Sequence, residues 1–169
     1  MSRLYQIGDQ VIYGIHGVCI ISSIVTRVVD RKQIEYYVLE PKDQSGAQFY
    51  VPTQNQTAVA KLRPVISAQE LHILLNENIN GQVAWISDEN LRKQYYRDLI
   101  TSGDRAALIS MVHALHIHKE NALAKGKKLH LCDENFLRDA EKLLGSEFSL
   151  VLDIEPSQVG DYIKGMIQQ

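Results

Sequence analysis

A chain of 169 residues has room for one compact body or two small ones, and 45% hydrophobic with 22% charged residues is an ordinary composition for a globular protein. No apolar run reaches the ~20 residues of a membrane span, and two cysteines, Cys19 and Cys132, are too few and too far apart for a disulfide framework or a thiolate zinc site. The net charge of -2 excludes a uniformly cationic nucleic-acid binder, yet Arg92 to Lys128 holds eight basic residues against three acids, and Leu129 onward holds three against eight.

The chain opens on strands. Up to about Pro64 apolar and polar residues alternate with period two and β-branched and aromatic residues are frequent, which predicts strands at Gln10 to Tyr13, Val18 to Val29, Ile34 to Glu40 and Gln48 to Val51. Gly8-Asp9, Gly14 to Gly17, Asp30 to Lys32 and Asp43 to Gly46 supply the turns. Four or five short antiparallel strands in ~60 residues are too few for a sandwich and suit a small barrel. The N-terminus lacks the basic-then-apolar order of a secretory signal, so the expected location is the cytoplasm.

After Pro64 the period becomes helical. Ser67-Ala-Gln-Glu70 is a capping-box pattern ahead of Leu71, Leu74 and Leu75. A second helix is predicted from Ser87 or Asp88 to Gly103, a third from Asp104 to near Gly126, a fourth from Asp133 to Leu144 ending at Gly145, a short fifth over Phe148 to Leu152, and a last one from Pro156. The expected fold class is therefore α+β: a barrel of residues 1–64 followed by an all-α domain of residues 65–169.

Catalytic signals are weak. Gly14-Ile-His-Gly17 is too short and too poor in glycine to cradle a phosphate. His113, His116 and His118 do not share one helix face with a completing carboxylate, so no metal is expected. Cys19 with His16 lacks a recognisable oxyanion loop, so no catalytic residue, cofactor or small-molecule substrate is assigned. The basic run Lys119 to Lys128 reads either as a solvated helix end or, with Arg92, Lys93 and Arg97, as a phosphate-contacting patch. Trp85, the only tryptophan, lies in Gly81-Gln-Val-Ala-Trp-Ile86 and reads either as an anchor for that linker or as an apolar wedge against base steps.

The order of GDQVIYGIHGVCIISSIVTR, IEYYVLE, YVPTQN and LRPVIS, then a tryptophan, YYRDLITSGD and AEKLLGSEFSLVL, resembles the CarD/CdnL family of bacterial transcription regulators over almost the whole chain. The first part also resembles the RNA-polymerase-interacting module of transcription-repair coupling factors. The resemblance implies a Tudor/SH3-like barrel that binds the β subunit of RNA polymerase, with Arg27, Tyr50, Val51 and Pro52 in the contact. Tyr50 stands where well-known members place an arginine. It further implies a helical domain that contacts promoter DNA, with Trp85 as the family tryptophan, and the charge pattern adds Arg92, Lys93, Arg97, Lys125, Lys127 and Lys128 as candidate phosphate contacts that do not read sequence. The expected activity is non-enzymatic control of open-complex stability, with nucleoid association through the polymerase. The alternative is an adaptor whose helical domain binds another protein and not DNA.

Overall fold

The computed structural model describes residues 3–79 and 85–167, and the chain divides into two compact units at Val65–Ile66. The first is a five-stranded antiparallel sheet: β1 (Gln10–Tyr13), β2 (Val18–Val29), β3 (Lys32–Pro41), β4 (Phe49–Pro52) and β5 (Leu62–Pro64), ordered β4-β3-β2-β1-β5. All five contribute to one core of Val11, Cys19, Ile21, Tyr37, Leu39, Val51 and Leu62, so the sheet curls about its inner face. Its ladder order leaves β4 and β5 at the two ends. A one-turn helix, α1 (Gln56–Val59), leads into β5, capped where the Ala58 amide donates to Asn55 Oδ1 at 3.1 Å. Neither α1 nor a strand at Leu-Arg-Pro is marked by periodicity, because both are shorter than one period of evidence.

Two features shape the long β2–β3 hairpin. The register shifts between Ile21 and Ser23, a bulge that turns the strand as it leaves the core. Asp30 (φ 50°) and Arg31 (φ 64°) both adopt the left-handed region that a two-residue hairpin turn requires. Beyond the bulge, Arg27 lies opposite Ile34, and Tyr50 and Pro52 of β4 lie opposite Val38 and Tyr36. Cross-strand partners point to the same face. Arg27, Ile34, Tyr36, Tyr50 and Pro52 therefore share the outer face, whereas Val51, opposite Tyr37, points inward.

The second unit holds α2 (Ala68–Ile79), α3 (Glu89–Ser102), α4 (Arg105–Ala124), α5 (Leu131–Leu152) and α6 (Pro156–Ile167) around a core that includes Leu71, Leu75, Ile109, Leu115, Phe148 and Ile163. Each such side chain contributes roughly 1.5–3 kcal/mol on burial. The caps are those the sequence supplies: Ser67 accepts from the Glu70 amide, Asp88 from Leu91 and Asp104 from Ala107, and Gly103 closes α3 in the left-handed region (φ 65°). No helix among the described residues is long and apolar enough to cross a membrane.

One boundary is corrected. Gly145 does not stop the fourth predicted helix; α5 runs through it to Leu152, merging the predicted fourth and fifth helices. A Cβ at Gly145 would lie 3.3 Å from the Pro156 carbonyl oxygen, so the glycine admits the start of α6 against α5. Close packing, and not chain termination, explains the residue, at a helix-propensity cost of about 1 kcal/mol.

Candidate protein and nucleic-acid interfaces

On the outer face of the sheet the Arg27 guanidinium carbon sits 4.3 Å from the Tyr50 ring centroid, and Arg27 Nη2 donates to the Tyr50 hydroxyl at 3.1 Å. That hydroxyl in turn donates to Gln48 Oε1 at 3.3 Å, and Tyr36 meets the ring edge-on at 6.3 Å. Two residues 23 positions apart thus form one exposed cation–aromatic unit, with Tyr50 38% exposed. Pro52 lies on the same face. Val51 does not: at 2% exposure it belongs to the core and supports the face from behind.

In the helical unit, the starts of α3 and α5 and the second half of α4 converge on Trp85. Its ring stacks on His118 with centroids 3.7 Å apart and planes 5° from parallel, while the Arg92 guanidinium carbon lies 4.6 Å from its centroid. Arg92 is only 3% exposed. It donates through Nε and Nη2 to the two carboxylate oxygens of Asp133 at 2.9 and 2.8 Å, and through Nη1 to the Ile86 carbonyl at 2.9 Å. Asp133 is fully buried. Nearby, Lys93 pairs with Glu89 at 3.0 Å, one turn away on α3.

A second, partly buried pair joins the start of α4 to the later part of α5. Arg105 donates to both oxygens of Glu147, which also accepts the Ile66 amide at 2.9 Å and so fixes where the chain enters α2. The basic and acidic halves of the helical sequence are in this way partly neutralised against each other. Arg97, Lys125, Lys127 and Lys128 are exposed.

The histidines separate into three environments. His113 is buried, and its Nδ1 has no hydrogen-bond partner among the described residues. His116 Nε2 lies 2.7 Å from Glu141, and His118 lies on Trp85. Among the described residues no group of three His, Cys, Asp or Glu side chains is placed to hold a metal ion. Burial pushes the Cys19 thiol up to about 11, with the Asp43 charge adding to the shift, which keeps it protonated near neutral pH and a poor nucleophile.

With this geometry in hand, the comparisons with known proteins are specific. Residues 5–66 match the model of the CarD-like/TRCF RID domain. The chain is also 24% identical over 159 residues to "Putative transcription factor YdeB" of Bacillus subtilis (strain 168), an alignment that spans 94% of this chain and 99% of that protein.

The N-terminal unit resembles the CarD-like/TRCF RID domain.

The matched segment ends at the boundary between the two units, so the match coincides with the sheet unit and the helical unit lies outside it. The two matches support regulation of transcription through interaction with RNA polymerase as the broad class of activity. The residues expected to contact polymerase divide into the exposed Arg27 and Tyr50, the half-buried Pro52 and the buried Val51. Those expected on DNA divide likewise. Arg92 is buried with its guanidinium bonded to Asp133, whereas Arg97, Lys125, Lys127 and Lys128 are exposed. Sequence reading passed over Asp133 and gave His118 no link to Trp85, since their roles depend on neighbours 41 and 33 positions away. Tyr36 was also passed over. Its period-two relation to the inward Tyr37 was the available signal.

Proposed function

We propose that the RID domain docks on the β subunit of RNA polymerase through the outer face bearing Arg27, Tyr50, Tyr36 and Pro52, and that the helical unit, held there, favours the open over the closed promoter complex through non-sequence-specific DNA contacts. The observation that carries this reading is the Arg27–Tyr50 unit, an exposed aromatic and a cation held in one orientation on a domain of the polymerase-interacting kind. Pre-ordered aromatic and arginine side chains are the common anchors of protein interfaces. Tyr50, standing in place of a second arginine, gives up one charge and holds the remaining one in position.

Arg97 and Lys93 on α3 and Lys125, Lys127 and Lys128 after α4 supply the phosphate contacts. With Arg92 and Arg105 committed to buried carboxylates, this patch binds free duplex weakly, and salt weakens it further. Docking on polymerase offsets that weakness, because a tethered contact acts at an effective concentration that reaches the millimolar range. A preference of about 1.4 kcal/mol for the opened duplex shifts the closed-to-open equilibrium about tenfold.

The test uses purified full-length protein, polymerase holoenzyme and a promoter fragment. Arg27→Glu abolishes the effect by lowering polymerase affinity. Simultaneous Lys125→Glu, Lys127→Glu and Lys128→Glu leaves polymerase binding intact and shortens the open-complex lifetime. A triple variant with wild-type lifetime and an unchanged promoter footprint would favour the adaptor reading, which the exposed Leu91 and Tyr95, one turn apart on α3, support.

A further inference from the structure

We propose that His16 is a positioning residue for the polymerase contact: lying against Phe49, it pins the start of β4 and so holds Tyr50 where Arg27 packs over it. The proposal rests on the reading of the Arg27–Tyr50 unit as a polymerase anchor. It gives a role to the Gly14-Ile-His-Gly17 turn, to which the sequence assigns neither a phosphate nor a catalytic step.

In ladder order β4 is an end strand, four residues long and paired on one side only, with β3. Few backbone hydrogen bonds hold such a strand, so its ends open easily unless side chains fasten them. Phe49 begins β4 opposite Leu39, and strand alternation turns Phe49 and Val51 inward and Tyr50 outward. The corner between β1 and β2 reaches Phe49 although neither strand pairs with β4. The His16 ring lies with its centroid 4.1 Å from that of Phe49 and its plane tilted by 34°, and the Tyr13 ring, at the end of β1, stands 5.5 Å from both. Three rings from separate segments thus fasten the start of β4 to a corner that is not its backbone neighbour.

The corner is itself well held. Gly17 (φ 68°, ψ -145°) takes backbone angles that essentially only glycine adopts, and the Tyr13 amide donates to the Gly17 carbonyl at 2.9 Å, closing the single 3-10 turn Gly14–His16. Val18 and Cys19, which follow, are buried, so the turn that bears His16 is rooted in the core. Tyr50, one residue beyond Phe49, is exposed; its ring is placed by the strand that carries it, by Tyr36 at its edge and by its bond to Gln48. Fraying at Phe49 moves that ring from beneath Arg27.

The test reads the unit directly in the intact protein. The Arg27 guanidinium lies 4.3 Å from the Tyr50 ring centroid, so the ring current moves the Arg27 side-chain proton resonances upfield. His16→Ala should lose that upfield shift and weaken binding to polymerase holoenzyme about two- to tenfold, the scale of one aromatic contact. His16→Phe keeps a flat ring against Phe49 and should restore both. His16→Gln, without a ring but longer than alanine, should behave as His16→Ala and replaces it if alanine opens the core, which the methyl resonances of Val11, Ile21 and Leu39 report. An Arg27 shift that persists in the variants without a ring, or that His16→Phe fails to restore, overturns the proposal. Loss of the shift with wild-type polymerase affinity leaves His16 as the residue that positions Tyr50 and refutes instead the polymerase role given to the Arg27–Tyr50 unit.

Discussion

Asp133→Ala isolates the energetic consequence of the buried pair. The carboxylate is fully buried and accepts two charge-assisted hydrogen bonds, at 2.9 and 2.8 Å, from a guanidinium that is 3% exposed. Removing it leaves a cation with no counter-charge inside the helical unit, at a cost of about 3–5 kcal/mol. A domain of this size is stable by about 5–15 kcal/mol in total, so the loss is a large share of it. At about 4 °C or more per kcal/mol, the thermal midpoint should fall by at least about 12 °C. Trp85 fluorescence follows the transition in this unit without interference from the sheet. Replacing both partners, Arg92→Met with Asp133→Leu, removes the stranded charge and should recover most of the loss. A shift in Asp133→Ala below about 4 °C, or a double variant no more stable than the single one, would refute the account of Arg92 as a structural residue.

Tyr50→Ala should reduce polymerase affinity by more than Tyr50→Phe, since alanine removes the ring beneath Arg27 and phenylalanine only the hydroxyl that bonds it; equal losses in a binding titration would show that the ring does not orient the arginine. Gly145→Ala gains helix propensity but presses a methyl on the Pro156 carbonyl, a backbone atom that cannot retreat without moving α6. The net effect should be a loss of about 1 kcal/mol in urea unfolding, and a stabilised variant would contradict the packing explanation. Cys19, buried with its thiol held at about 11, should resist alkylation at pH 8 in the native protein while Cys132, which is partly exposed, reacts; rapid modification of Cys19 would disprove its burial in the sheet core.

The sequence by itself determined the class and most of the elements, though not α1, β5 or the unbroken length of α5. Period-two alternation, glycines and aspartates at turns, and Ser67, Asp88 and Asp104 at helix starts are local signals, and each element they mark is present within a few residues of its expected bounds. The run from GDQVIY to LRPVIS likewise carried the family of the N-terminal unit. Only the tertiary structure decided what individual side chains do. A glycine that reads locally as a stop is instead a point of helix contact, since its reason lies in Pro156. An arginine in a basic run is buried because a carboxylate 41 positions on meets it. Arg27 and Tyr50 become one unit because β2 and β4 flank β3, a register no local pattern states. Propensity and capping act over a few residues and are legible along the chain; charge pairing, ring stacking and close approach act across space, between segments that only folding brings together.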